Sequence, residues 1–158
     1  RLLEHMTAYD NVAVPLRVRG MSESEIGKRV KELLHWVELD KSINKICSTL
    51  SGGEKQRVAL CRAFAAPFEL LLADEPFSAL DIALRERMIA LFADLLRERG
   101  GTEGAKTAVF VTHSVKEALS LADRVAVLRS GKLVKMFAAR GQDKEKLRAE
   151  LIAALTEE

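Results

Sequence analysis

The chain has 158 residues, 48% of them hydrophobic, and 25 basic against 23 acidic residues leave a formal net charge of +2. That length supports one core of ordinary domain size and argues against two domains, while charges of both signs mixed along the chain exclude the basic stripe of a nucleic-acid binder and the acidic tail of a disordered one. Cys47 and Cys61 are too few and too isolated for a disulfide framework or a zinc site, which fits a reducing cytosol, and no uncharged apolar run approaches the roughly 18 to 20 residues of a membrane span.

Ser22-Glu23-Ser24-Glu25 reads as a capping box, and Ile26, Val30, Leu33, Leu34 and Val37 follow at helical spacing, with Trp36 half-buried beside them. Ser51-Gly52-Gly53 opens a second helix that carries Val58, Cys61 and Ala65 on one stripe and ends near Pro67. Residues 69–74 form an aliphatic strand. Asp81 can cap a long helix with Met88, Ile89, Phe92, Leu95 and Leu96 on its apolar face, stopped by Gly100-Gly101. Residues 107–111 form the next strand. Ser114 starts a helix with Val115, Ala118, Leu119 and Ala122 facing inward, and residues 125–128 form a third strand. Ser130-Gly131 is a turn leading into a hairpin partner over 132–137. A last helix over 143–156, with Leu147, Leu151, Ile152 and Leu155 among many charges, is expected as a surface appendage. Aliphatic strands alternating with helices predict an α/β fold whose parallel sheet is covered on both faces. No signal peptide precedes the first helix, and the start at Arg1 in mid-pattern reads as that of a fragment.

Two stretches carry chemistry. Gly52 and Gly53 open a helix where unpaired backbone N–H groups and the helix dipole favour an anion; without Cβ atoms they let backbone approach phosphate oxygens, and Ser51 adds a hydroxyl. Ser51 is equally suited to be an ordinary N-cap. The strand Leu70-Leu71-Leu72-Ala73 delivers Asp74-Glu75-Pro76 at its tip. Successive strand residues face opposite ways, so Asp74 can hold Mg²⁺ while Glu75 orients or deprotonates a water. His113 ends the second strand, placed to reach the same cleft, and Asp81 either caps its helix or serves an interface, or both.

These residues resemble the ATP-binding subunit of ABC transporters, in the P-loop NTPase fold, over nearly the whole chain. Leu50 to Gln56 resembles the signature motif, Leu70 to Glu75 the Walker B strand with its catalytic glutamate, Ser78-Ala79-Leu80-Asp81 the D-loop, and His113 the switch histidine. Thr112-His113-Ser114 with Glu117-Ala118 and Leu121-Ala122-Asp123-Arg124 is similar to bacterial importers of the nitrate, sulfonate or taurine kind, whereas Tyr9-Asp10-Asn11-Val12 also resembles the cell-division ABC ATPase.

The resemblance implies ATP and Mg²⁺ as cofactors, with Glu75 and His113 catalytic and Asp74 on the metal. Ser51, Gly52, Gly53, Glu54 and Asp81 would act at the nucleotide or across a head-to-tail dimer. A second ATPase subunit and a membrane permease are the implied partners, with no nucleic acid, at the cytoplasmic face of the membrane. The residues divide into a helical subdomain with the signature motif (1–66), a Walker B to switch-histidine core (67–137) and the appendage (138–158). Selectivity for the transported solute would lie in other subunits.

Three departures matter. Glu54 stands where glutamine is usual, and its carboxylate is expected to point away from phosphate. Ser114 replaces the commoner aspartate after His113. No Gly-x-x-x-x-Gly-Lys-Ser/Thr loop occurs in the 158 residues; Gly100, Ala105 and Lys106-Thr107 approximate its spacing but leave a helix and enter a strand, the reverse of the required order. The isolated chain is therefore expected neither to bind ATP tightly nor to hydrolyse it. A non-hydrolysing ABC-like remnant is the alternative, while a soluble ABC ATPase of DNA repair or translation would need coiled-coil arms or a second cassette.

Overall fold

The computed structural model describes residues 2–98 and 107–156. Its helices are α1 (Ala8–Val18), α2 (Glu23–Trp36), α3 (Gly52–Ala65), α4 (Ile82–Glu98), α5 (Val115–Leu121) and α6 (Lys144–Thr156); its strands are β1 (Leu70–Asp74), β2 (Thr107–Val111), β3 (Arg124–Arg129) and β4 (Lys132–Ala138). The near-miss phosphate loop and the Gly100-Gly101 stop lie outside the described residues.

Local chemistry sets the helix starts. Ser22 and Ser51 each form a complete capping box, with Glu25 and Glu54 as the returning carboxylates. Thr7 caps α1, and the Asp81 carboxylate accepts the Leu84 N–H at 3.0 Å at the start of α4. Pro15 sits inside α1, which masks that helix in a periodicity reading. Buried Asn11 fastens α1 to the chain before it, donating to the Leu3 and Thr7 carbonyls and accepting the Leu3 N–H.

α1, α2 and α3 share a core of Val12, Leu16, Ile26, Val30, Leu34, Val58 and Cys61. An aromatic cluster carries that core toward the strands: Phe92 meets Phe64, Phe77 and Phe110 edge to face, with centroids 4.1, 5.4 and 5.1 Å apart. β1 and β2 pair in parallel from Leu70 opposite Thr107 to Asp74 opposite Val111.

The sheet departs from expectation in two ways. Among the described residues β2 does not pair with β3; β3 instead pairs antiparallel with β4 through the two-residue turn Ser130-Gly131, whose φ of 49° and 75° suits a tight hairpin. Among the described residues only one face of the β1–β2 pair is covered. Leu71 and Phe110 turn toward the helices, while Leu70, Leu72, Val109 and Val111 are exposed on the other side. The aliphatic run was read as two buried faces, whereas among the described residues it supplies one.

α6 is more than a surface appendage. It buries Leu147, Leu151 and Ala154 against Val127 and Phe137 in a second core, leaving Ile152 and Leu155 exposed. On α5 the fully buried side is taken by Glu117, with Val115, Ala118, Leu119 and Ala122 only half-buried.

Candidate active site

Asp74 and Glu75 leave the C-terminal end of β1, and His113 lies two residues past the end of β2, so the parallel register brings them to one edge. Crevices at the C-terminal ends of parallel strands are where α/β folds receive ligands. Glu75 extends the ladder by one bond, its N–H donating to the Val111 carbonyl at 2.8 Å, and then turns into the left-handed region with φ 43°. The turn aims its carboxylate at the histidine: His113 Nδ1 is 3.0 Å from Glu75 Oε1. Both side chains are substantially exposed, so the pair is open to a ligand.

Asp74 projects on the other side of the strand tip, and no hydrogen bond or ion pair from the described residues engages its carboxylate. Among the described residues no group of three or more His, Cys, Asp or Glu side chains gathers as a metal cage. A single free carboxylate suits Mg²⁺, which keeps waters and takes substrate phosphate oxygens for its remaining ligands.

The turn at the start of α3 divides its two glycines between different tasks. A Cβ on Gly52 would meet nothing within 4 Å, whereas one on Gly53 would lie 3.1 Å from the Ala79 carbonyl. Gly52 thus faces open space, and Gly53 permits the helix end to pack on the 75–81 loop. Glu54 folds back: its carboxylate accepts the Ser51 N–H and the Ser42 hydroxyl, each at 2.9 Å. Those bonds, the backbone one foremost, hold its pKa at about 2. Asp81 does not join the Glu75–His113 pair; its described bond is the α4 cap.

Polar residues without a periodic signal complete the site. Gln56 on α3 donates to the Glu75 carbonyl at 2.8 Å and accepts the Ala79 N–H at 3.0 Å. Buried Glu117 accepts the Thr112 hydroxyl at 2.6 Å, and Thr112 in turn accepts the Ser114 N–H at 3.0 Å, which fixes the turn that carries His113. Arg85 lies 3.9 Å from Glu117 and donates to the Leu80 carbonyl at 3.0 Å.

Residues 1–78 match the family described as ABC transporter. The chain is 43% identical over 135 residues to the spermidine/putrescine import ATP-binding protein PotA of Thermotoga maritima, covering 85% of this chain and 35% of that protein. The chain belongs to the ABC transporter ATP-binding family. A second relative, the molybdate/tungstate import ATP-binding protein WtpC of Pyrococcus abyssi, is also 43% identical over 135 residues, covering 85% of this chain and 38% of that one. An ATP-binding cassette solved as a dimer in a post-hydrolysis state with ADP and Pi superposes with a TM-score of 0.79 at 36% identity, covering 90% of this chain and 60% of that one. The fold is accordingly that of the P-loop NTPases. This ABC chain spans about a third of the length of these curated relatives. Two relatives named for different solutes are equally similar to it, so this segment does not report the solute; both are import proteins, and neither bears a nitrate, sulfonate, taurine or cell-division name. No helix among the described residues is long and apolar enough to cross a membrane.

Proposed function

We propose that this chain supplies the hydrolytic half of an ABC importer's ATP site, together with the signature turn offered to a second ATPase subunit. The observation that carries the reading is the approach of His113 to Glu75 at the tip of the parallel pair, one residue after Asp74 ends the β1 ladder. Glu75 would take the proton of the water that attacks the γ-phosphate. An ionised Glu75 and phosphate oxygens are all acceptors, so His113 bridges them only with both ring nitrogens protonated. Asp74 would hold Mg²⁺, which when bound neutralises charge developing on the phosphates.

On the same reading Gly52, with open space before it, and Ser51 contact the γ-phosphate held by the opposite subunit. Gly53 keeps the turn seated on its own loop, and Asp81 acts at the dimer interface while capping α4. The solved cassette is a dimer, which supports a second ATPase subunit as partner, and the import names of the relatives support a membrane permease and a place at the cytoplasmic face of the membrane. These 158 residues contain no Gly-x-x-x-x-Gly-Lys-Ser/Thr loop, so turnover requires an assembly in which such a loop meets this site.

The test compares the 158-residue chain alone with an assembly that includes a phosphate-binding loop. The chain alone is expected to show no ATP turnover. The assembly is expected to hydrolyse ATP, and Glu75→Gln to slow it by about 10² to 10⁴-fold without loss of ATP binding. Turnover by the chain alone that Glu75→Gln abolishes would overturn the division of labour, and full turnover in the Glu75→Gln assembly would overturn the role of Glu75.

A further inference from the structure

We propose that Gln56 is a positioning residue that ties the signature turn directly to Glu75, so that a displacement of the turn by a nucleotide on the opposite subunit is carried to this chain's own hydrolytic carboxylate. The functional half of this statement rests on the reading above; the structural half stands on the bonds that Gln56 makes.

Glu75 is a non-glycine residue at φ 43°, a left-handed conformation that persists only where its surroundings impose it. Three donors converge on its carbonyl: the Ser78 N–H at 3.2 Å, the Ser78 hydroxyl at 3.0 Å and the Gln56 amide at 2.8 Å. Two of these belong to the same turn and travel with it. Gln56 is the one that comes from another element, 19 residues earlier in the chain.

Both ends of the Gln56 amide are used. Nε2 donates to Glu75, and Oε1 accepts the Ala79 N–H at 3.0 Å, so only one orientation of the amide satisfies both partners. A carboxylate could serve only Ala79, a lysine only Glu75, and an apolar side chain neither. Gly53, three residues earlier and so on the same helix face, lies close to the same segment, since a Cβ there would come within 3.1 Å of the Ala79 carbonyl. The first turns of α3 therefore hydrogen-bond the 75–79 loop at two backbone groups and leave no room for a side chain at a third, which on this proposal couples the motion of the two. The turn that would read the partner's phosphate lies on this coupled unit, and so does the carboxylate that would activate water.

The test uses the ¹⁵N-labelled 158-residue chain as wild type, Gln56→Met and Gln56→Glu. Gln56→Met keeps the shape and loses both bonds; it is expected to speed amide hydrogen exchange at Ala79 about tenfold and to move the His113 Nδ1 resonance, while the core amides of Val12, Val30 and Val58 stay protected. Gln56→Glu keeps the acceptor and loses the donor, so Ala79 stays protected and the His113 resonance moves alone. Unchanged Ala79 exchange and an unchanged His113 resonance in a folded Gln56→Met chain overturn the proposal; if that variant loses core protection, an unmoved His113 resonance in Gln56→Glu does so instead. In a hydrolysing assembly Gln56→Met is expected to lower kcat about tenfold with KM unchanged. Glu75→Gln separates the two failures. Full turnover in Glu75→Gln removes the functional reading, whereas abolished turnover there with wild-type kcat in Gln56→Met removes only the role of Gln56.

Discussion

At position 54 a carboxylate sits in the first turn of α3, and it serves there as a helix cap. The Ser51 N–H and Ser42 hydroxyl hold it ionised, with its pKa lowered from the ordinary 4.5 to about 2. A carboxyl whose pKa is lower in the folded chain adds stability that is complete above the ordinary value and disappears as the pH falls toward about 2. Glu54→Gln should therefore lose less stability than wild type across that window, as read by urea unfolding at about pH 6 and about pH 2.5. Equal losses would mean that the cap carries no linked proton. The neighbouring glycines give a second contrast. Gly52→Ala meets open space and should gain up to about 1 kcal/mol from the lower backbone entropy of the unfolded chain, whereas Gly53→Ala must push the Ala79 carbonyl away and should gain less or be destabilised. Matching denaturant midpoints for the two variants would show that α3 and the loop are not in close register.

Elements meet at Phe92, which joins α3, α4, the turn after β1 and β2 through its contacts with Phe64, Phe77 and Phe110. Phe92 is almost fully buried, so Phe92→Ala should cost about 3 to 5 kcal/mol, measured by chemical denaturation. A cost near 1 kcal/mol would mean that the strands are seated on the helices by other contacts. The helix starts and the strand that ends in Asp74-Glu75 were legible in the sequence because caps, glycines and aliphatic runs act within a few residues. Gln56 and Glu117 were legible only as members of motifs and their roles were not, since a polar residue in a helix gives no signal until its partner is placed; the partners of Gln56 stand 19 and 23 residues away. Buried Glu117 was hidden for a further reason: its helix has half-buried aliphatics that satisfy the periodic pattern without it. The helix α1 was obscured by Pro15, whose missing N–H argues against a helix that the packing of Val12 and Leu16 secures.

At the scale of the molecule, the uneven covering that the described residues give the β1–β2 pair bears on how the chain behaves in water. Its inner face closes the aromatic cluster, and its outer face leaves Leu70, Leu72, Val109 and Val111 between 48% and 69% exposed. Four aliphatic side chains on alternating positions of two adjacent strands form one continuous apolar strip, where isolated exposed aliphatics would need no explanation. The purified chain should therefore enhance the fluorescence of an apolar dye such as ANS while still giving a cooperative unfolding transition. Leu72→Thr with Val109→Thr should reduce the dye signal and change stability by no more than about 0.5 kcal/mol, because exposed side chains contribute little burial and threonine is suited to strands. The same pair of substitutions in the inner face, at Leu71 and Phe110, should instead lower stability by several-fold more. If the outer-face variant loses stability comparably to the inner-face one, the strip is covered in solution by self-association. Sedimentation of wild type against the double variant would reveal that as a shift from a larger species to the monomer.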